Sequence, residues 1–211
     1  IKMLNVHDDN LVVEHKGIFS IENYLTSRRL MYWQVYLHKT AVGYESVLIS
    51  ALNRAKALAR SGCTVFAPPS LKFFLDNDVD AKWFDEHPET IDVYRELDDN
   101  DIWCALKVWM HHDDKILSTL ADNMVNRHIF KVEVSDTPQH VSGHLGIDKN
   151  DSKYFVVVNT IQKDMYDMDD DNITIMYDDG TTKDISKASE LLNVELLSKK
   201  IRKYYLCYQR I

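Results

Sequence analysis

The fold is decided by Ser27-Arg28-Arg29-Leu30-Met31-Tyr32-Trp33-Gln34-Val35-Tyr36-Leu37-His38-Lys39 and the residues around it, from Ser20 to Gly62. This span has no proline and one interior glycine, Gly43, and Leu30, Trp33, Leu37, Val47, Leu48 and Leu52 recur three and four apart. That is helical periodicity, and it predicts one or two long helices. Ser20 is the predicted N-cap, and Gly62 the stop after the cationic turn Lys56 to Arg60. Six basic residues face two acidic ones here, a balance of +4 within a chain of net charge -8, so the remaining residues carry -12. A basic helix in an acidic protein is what a wall facing a polyanion needs.

Working outward, residues after Pro68-Pro69 predict acidic helices at Ser70–Leu75, Val79–Phe84, Thr90–Leu97 and Ile102–Met110, then one from Asp114 or Lys115 to Asn126. Phe130, Val132 and Val134 alternate with polar residues, which is strand periodicity. Ser135–Ser152 reads as loop; Tyr154–Ile161, Ile173–Tyr177, Thr181–Ile185 and Ile201–Tyr208 read as strands, with an Asp178-Asp179-Gly180 turn and a helix over Ser189–Leu197. The acidic run Asp167, Asp169, Asp170 and Asp171 lacks the glycine and closing glutamate of a calcium loop and reads as solvated. The predicted fold is mainly α-helical, followed by a small α+β lobe with an antiparallel sheet, divided as 1–135 and 136–211.

With 211 residues and 45% apolar content the chain can bury a core, and no stretch resembles a membrane span or a signal peptide. The acidic net charge disfavours non-specific nucleic-acid or anionic-membrane binding, and no specific nucleic-acid site is evident. Cys63, Cys104 and Cys207 offer neither a disulfide framework nor a zinc pattern, which points to a reducing, cytoplasmic setting. The opening at Ile1 reads like the interior of a longer protein.

Arg28, Tyr32 and Tyr36 stand four apart, so on a helix they share one side, a guanidinium for phosphate and two phenols for stacking or hydrogen bonding. His38 and Lys39 lie beyond them, and Arg127 and Lys131 bracket a helix-to-strand junction, where helix C-terminal carbonyls also attract cations. His111-His112-Asp113-Asp114 has the residue types of a metal site. It sits at a helix end without a partner set of ligands, and is discounted.

The 27–39 stretch, with Asp9-Asn10-Leu11-Val12-Val13 upstream and Asn126-Arg127-His128-Ile129-Phe130-Lys131 downstream, resembles the HD-domain phosphohydrolases, in particular the deoxynucleoside triphosphate triphosphohydrolase branch. The resemblance implies an HD-type helical lobe, a dNTP-like substrate, a homo-oligomer, and a divalent metal ion whose ligands precede this chain. Such a fragment would be inactive alone. It further implies that Arg28 contacts phosphate, that Tyr36 packs on the deoxyribose, and that Tyr32 lies near the phosphates as proton donor or hydrogen-bond partner. His38, Lys39, Arg127 and Lys131 match positions that touch activator nucleotides or subunit contacts in regulated relatives. The alternative is a regulatory or oligomerisation module that binds effector nucleotides without catalysis.

Overall fold

The structure, a computed structural model, describes residues 2–139, 153–163, 172–189 and 201–209. The predicted acidic run and most of the predicted Ser189–Leu197 helix lie outside them. The described elements, in order, are β1 (Leu4–His7), β2 (Asn10–Glu14), a 3-10 turn (His15–Gly17), α1 (Ile18–Met31), a π-helical turn (Tyr32–Tyr36), α2 (Lys39–Arg60), α3 (Pro69–Asp76), α4 (Ala81–Glu86), α5 (Thr90–Glu96), α6 (Asp99–Trp109), α7 (Lys115–Val125), β3 (Lys131–Ser135), β4 (Val156–Lys163), β5 (Thr174–Met176), β6 (Thr182–Asp184), α8 (Ile185–Ala188) and β7 (Ile201–Tyr208). This is a helical lobe followed by a small α+β region.

The chain groups into two compact units, residues 1–38 with 160–204, and residues 39–159 with 205–211. This grouping is distinct from the division at 135/136 drawn from the sequence.

The first unit is built on a sheet of order β1-β2-β5-β6. Asp8 and Asp9 both take positive φ, 47° and 60°, which makes the two-residue turn that joins β1 to β2. Asparagine and aspartate tolerate this conformation better than most residues. β2 then pairs in parallel with β5, Val13 opposite Ile175, and β5 turns back into β6 through Gly180 at φ 80°. Val13, Ile18, Leu25, Ile175, Ile185 and Ala188 are buried together, with Tyr32 and Trp33 packed against them. Glu22 is 4% exposed within this unit and accepts a hydrogen bond of 2.5 Å from the Ser189 hydroxyl.

Helix α1 starts after Gly17 rather than at Ser20, which lies one turn inside it. A Cβ on Gly17 would stand 2.8 Å from Val13 Cγ1, so tight packing puts glycine at the cap where side-chain chemistry favours serine. The predicted long helix is two helices. The π turn ends α1, with the Leu37 amide donating to the Tyr32 carbonyl five residues back at 2.7 Å, and α2 begins at Lys39.

In the second unit α2 packs against α7, α3 and β3, and α7 also packs against α6. Val42, Val47, Ala51, Ala55 and Leu58 form the buried stripe of α2, against a core that includes Leu106, Trp109, Leu117, Leu120 and Met124. Arg54 on α2 donates twice to Asp114, at 3.0 and 2.5 Å, while Asp114 accepts the Leu117 amide as the N-cap of α7. α2 ends at Arg60, and Gly62 just beyond it takes φ 85°, the left-handed stop expected there. A second sheet has the order β3-β7-β4.

Candidate functional site

In the first unit, Arg28, Tyr32 and Tyr36 form a ladder along one side. The Arg28 guanidinium lies 6.0 Å from the centre of the Tyr32 ring, and the Tyr32 and Tyr36 rings are 5.2 Å apart at 46°. In an uninterrupted α-helix residues four apart drift progressively around the axis. The wider π turn over 32–36 corrects that drift and keeps Tyr36 beside Tyr32. Tyr32 leans on the buried cluster, whereas Tyr36 is 55% exposed. A half-buried cation followed by two rings offers charge, hydrogen bonding and a stacking surface in a line.

In the second unit, Lys39, Arg127 and Lys131 converge on one cleft of about 360 Å³, completed by Thr40, Ile129, Phe130 and Val132. His38 precedes α2, its amide donating to the Val35 carbonyl at 3.4 Å, and is not among the residues lining the cleft.

Three local features build this cleft. Gly43 comes one turn after Lys39 on α2, and a Cβ there would sit 2.7 Å from Val132 Cγ2 and 3.2 Å from the Phe130 carbonyl oxygen. The missing side chain lets α2 lie against residues 129–132 and brings Lys39 beside Lys131.

The second feature is the end of α7. Asn126 closes the helix, Arg127 takes φ 59°, and the His128 amide donates to the Asn123 carbonyl at 2.9 Å. This is a Schellman turn with arginine at the left-handed position usually held by glycine. The Tyr44 hydroxyl, from α2, donates to the next carbonyl, Met124, at 2.6 Å. The helix end is thereby fixed to α2.

The third feature holds Lys131. Its ammonium stands 5.3 Å from the Tyr208 ring centre and 3.2 Å from Glu133 Oε1, while the Tyr208 hydroxyl donates to the same Glu133 oxygen at 2.7 Å. The Tyr208 hydroxyl, and then Glu133, hold Lys131 above the usual lysine range, so it is a fixed positive charge. The first turn of α2 adds amide groups and the positive end of a 22-residue helix to the same mouth. Charge and donors of this kind suit an anion with several oxygens.

The resemblance implies a metal ion whose ligands precede this chain. Among the described residues, no group of three or more His, Cys, Asp or Glu could hold an ion. His112 is used structurally: Nδ1 accepts the Asp114 amide at 3.0 Å, and Nε2 lies 3.4 Å from the Thr64 carbonyl. No described helix is long and apolar enough to cross a membrane.

Sequence reasoning missed Gly43, Tyr44, Glu133 and Tyr208. Only Gly43 carried a signal, as the lone glycine inside a long helical pattern.

The fold and these features define a mainly helical α+β protein with an aromatic ladder in one unit and a cationic cleft in the other. Residues 1–65 match the family model described as the HD associated region. The chain is 56% identical to a phosphohydrolase from Bacteroides thetaiotaomicron whose crystal structure superposes with a TM-score of 0.88, covering 99% of this chain and 54% of that one. It is 26% identical to the uncharacterized protein YwfO of Bacillus subtilis, over 99% of this chain and 48% of that protein. A hypothetical protein from Aquifex aeolicus shares the fold, with a TM-score of 0.54 at 17% identity, over 99% of this chain and 46% of that one. The chain thus spans about half the length of these relatives.

Proposed function

We propose that this chain is the C-terminal part of an HD-type phosphohydrolase that acts on dNTPs or related nucleotides as a homo-oligomer, with a divalent metal held by residues that precede Ile1. The likeness to the Bacteroides phosphohydrolase carries this reading, and the Arg28–Tyr32–Tyr36 ladder gives it residues. In it Arg28 neutralises charge on the polyphosphate, Tyr32 donates a hydrogen bond or a proton near the phosphates, and Tyr36 packs against the sugar. The ion, when bound, would activate water.

The test is Arg28→Ala in the full-length protein. The reading expects dNTP turnover to fall by about a hundredfold with unchanged assembly. Loss of assembly with turnover per assembled particle preserved would favour a regulatory or oligomerisation role for this half instead.

A second reading has its own observation, the convergence of Lys39, Arg127 and Lys131 on one cleft. In it that cleft binds the polyphosphate of an effector nucleotide.

A further inference from the structure

Val156, Val157 and Val158, three consecutive residues of β4, line a separate groove of about 400 Å³ in the second unit, with Ile49 and Asn53 of α2 facing them. Successive side chains of a strand point to opposite faces of its sheet, so consecutive residues share one groove where that groove runs along the strand's edge. The sheet order β3-β7-β4 puts β7 on the other edge of β4, and just past β7 the Gln209 amide donates to the Phe155 carbonyl at 3.0 Å. No residue of β7 lines the groove. Among the described residues β4 is thus an edge strand, and its open side borders the groove.

At such an edge every second residue turns its amide and carbonyl outward, ready to pair with another extended chain. Charged side chains and prolines usually blunt an edge of this kind, and Val156 to Val158 carries neither. The wall opposite is apolar too, with Ile49 and Val158 each 44% exposed. Lys153 lines the groove where the chain enters β4. Its ammonium lies 4.9 Å from the centre of the Tyr154 ring and has no acidic partner among the described residues. The other cation on that ring, Arg54 at 5.2 Å, is already paired with Asp114. No acidic residue lines the groove, so Lys153 gives one end of it an uncompensated positive charge. That charge sets a direction: a chain added antiparallel to β4 brings its C-terminal end to Lys153, whereas a parallel one brings its N-terminal end.

We propose that the groove between β4 and α2 takes up the extended, apolar C-terminal tail of a partner protein, which adds to β4 as an antiparallel strand and sets its terminal carboxylate beside Lys153.

Calorimetry on the full-length protein tests this with the peptide Val-Thr-Val-Thr-Val, acetylated at its N-terminus, as the probe. The peptide with a free C-terminus is expected to bind about fivefold more tightly than its C-terminal amide, the upper range for an exposed ion pair. Lys153→Ala, at an exposed position, should bring the free acid down to the level of the amide and leave the amide unchanged. N-methylation of one alternate set of peptide residues should weaken binding about tenfold by removing the donors that meet β4, while methylation of the other set has little effect. No binding at millimolar peptide, equal affinities for the two methylated sets, or an acid–amide difference that survives Lys153→Ala each overturns the proposal. Self-association of the protein that the peptide competes away would give the edge to a second copy and overturn the choice of partner.

Discussion

Two demands meet at Arg127. The turn after α7 wants a residue that adopts positive φ at no cost, and the cleft wants a cation; a non-glycine residue held left-handed costs about 1–2 kcal/mol. Arg127→Gly should therefore raise the unfolding free energy by about 1 kcal/mol while weakening triphosphate binding about tenfold, read by thermal unfolding and calorimetry on the same protein. Asp114 presents the opposite case, a residue whose two duties agree. It caps α7 and pairs with Arg54, whose guanidinium holds the carboxyl below the usual aspartate range. Because its folded pKa is lowered, its contribution is complete above the unfolded value of about 3.9 and is lost as pH falls through the lower folded one. Asp114→Asn should cost about 2 kcal/mol at pH 7, since the side chains are only 23% and 18% exposed. Denaturant unfolding between pH 7 and pH 2 should show a shallower loss in the variant than in the wild type; parallel curves would rule the pair out as a source of acid sensitivity.

Among elements, the contact of α2 with residues 129–132 decides whether the cleft exists. Alanine at position 43 would add about 1 kcal/mol of helix propensity. The added methyl meets a β-branched side chain at 2.7 Å and backbone at 3.2 Å, neither of which yields easily. Overpacking of this kind costs about 1–3 kcal/mol. Gly43→Ala should lower the melting temperature and reduce triphosphate affinity together, by pushing Lys39 away from Lys131. A stabilised variant with normal affinity would mean that the close approach is not needed. The long helical elements were legible because their apolar stripes were long: α6, α7 and the acidic helices fall where periodicity placed them. The break between α1 and α2 was not. Nothing in Tyr-Trp-Gln-Val-Tyr breaks a helix by propensity, and the π turn is visible only as a hydrogen bond five residues back. β1 and β2 were missed for a similar reason. Four- and five-residue strands give little periodicity, and Asp8-Asp9 lacks the glycine that usually announces such a turn.

Across the whole molecule, composition separated basic from acidic regions, and Lys39, Arg127 and Lys131 line one cleft, with His38 outside its lining. What composition could not give was the grouping of distant segments. Lys39 and Arg127 are nearly ninety positions apart, and only the packing of α2 on α7 and β3 brings them together. The same holds for Asn123 and Gln209, whose encounter depends on β7 returning to the second unit at the end of the chain.

The parallel pairing of β2 with β5 has a consequence for biosynthesis. Val13 leaves the ribosome about 160 residues ahead of Ile175, its partner in the register. During that interval Val13, Ile18 and Leu25 lack the strand and helix that will bury them, while α2 through α7, whose contacts are closer in sequence, can already assemble. The unit that comes first in the chain is thus the last to close, and its apolar surface stays open to chaperones or to other nascent chains until translation has passed Ala188.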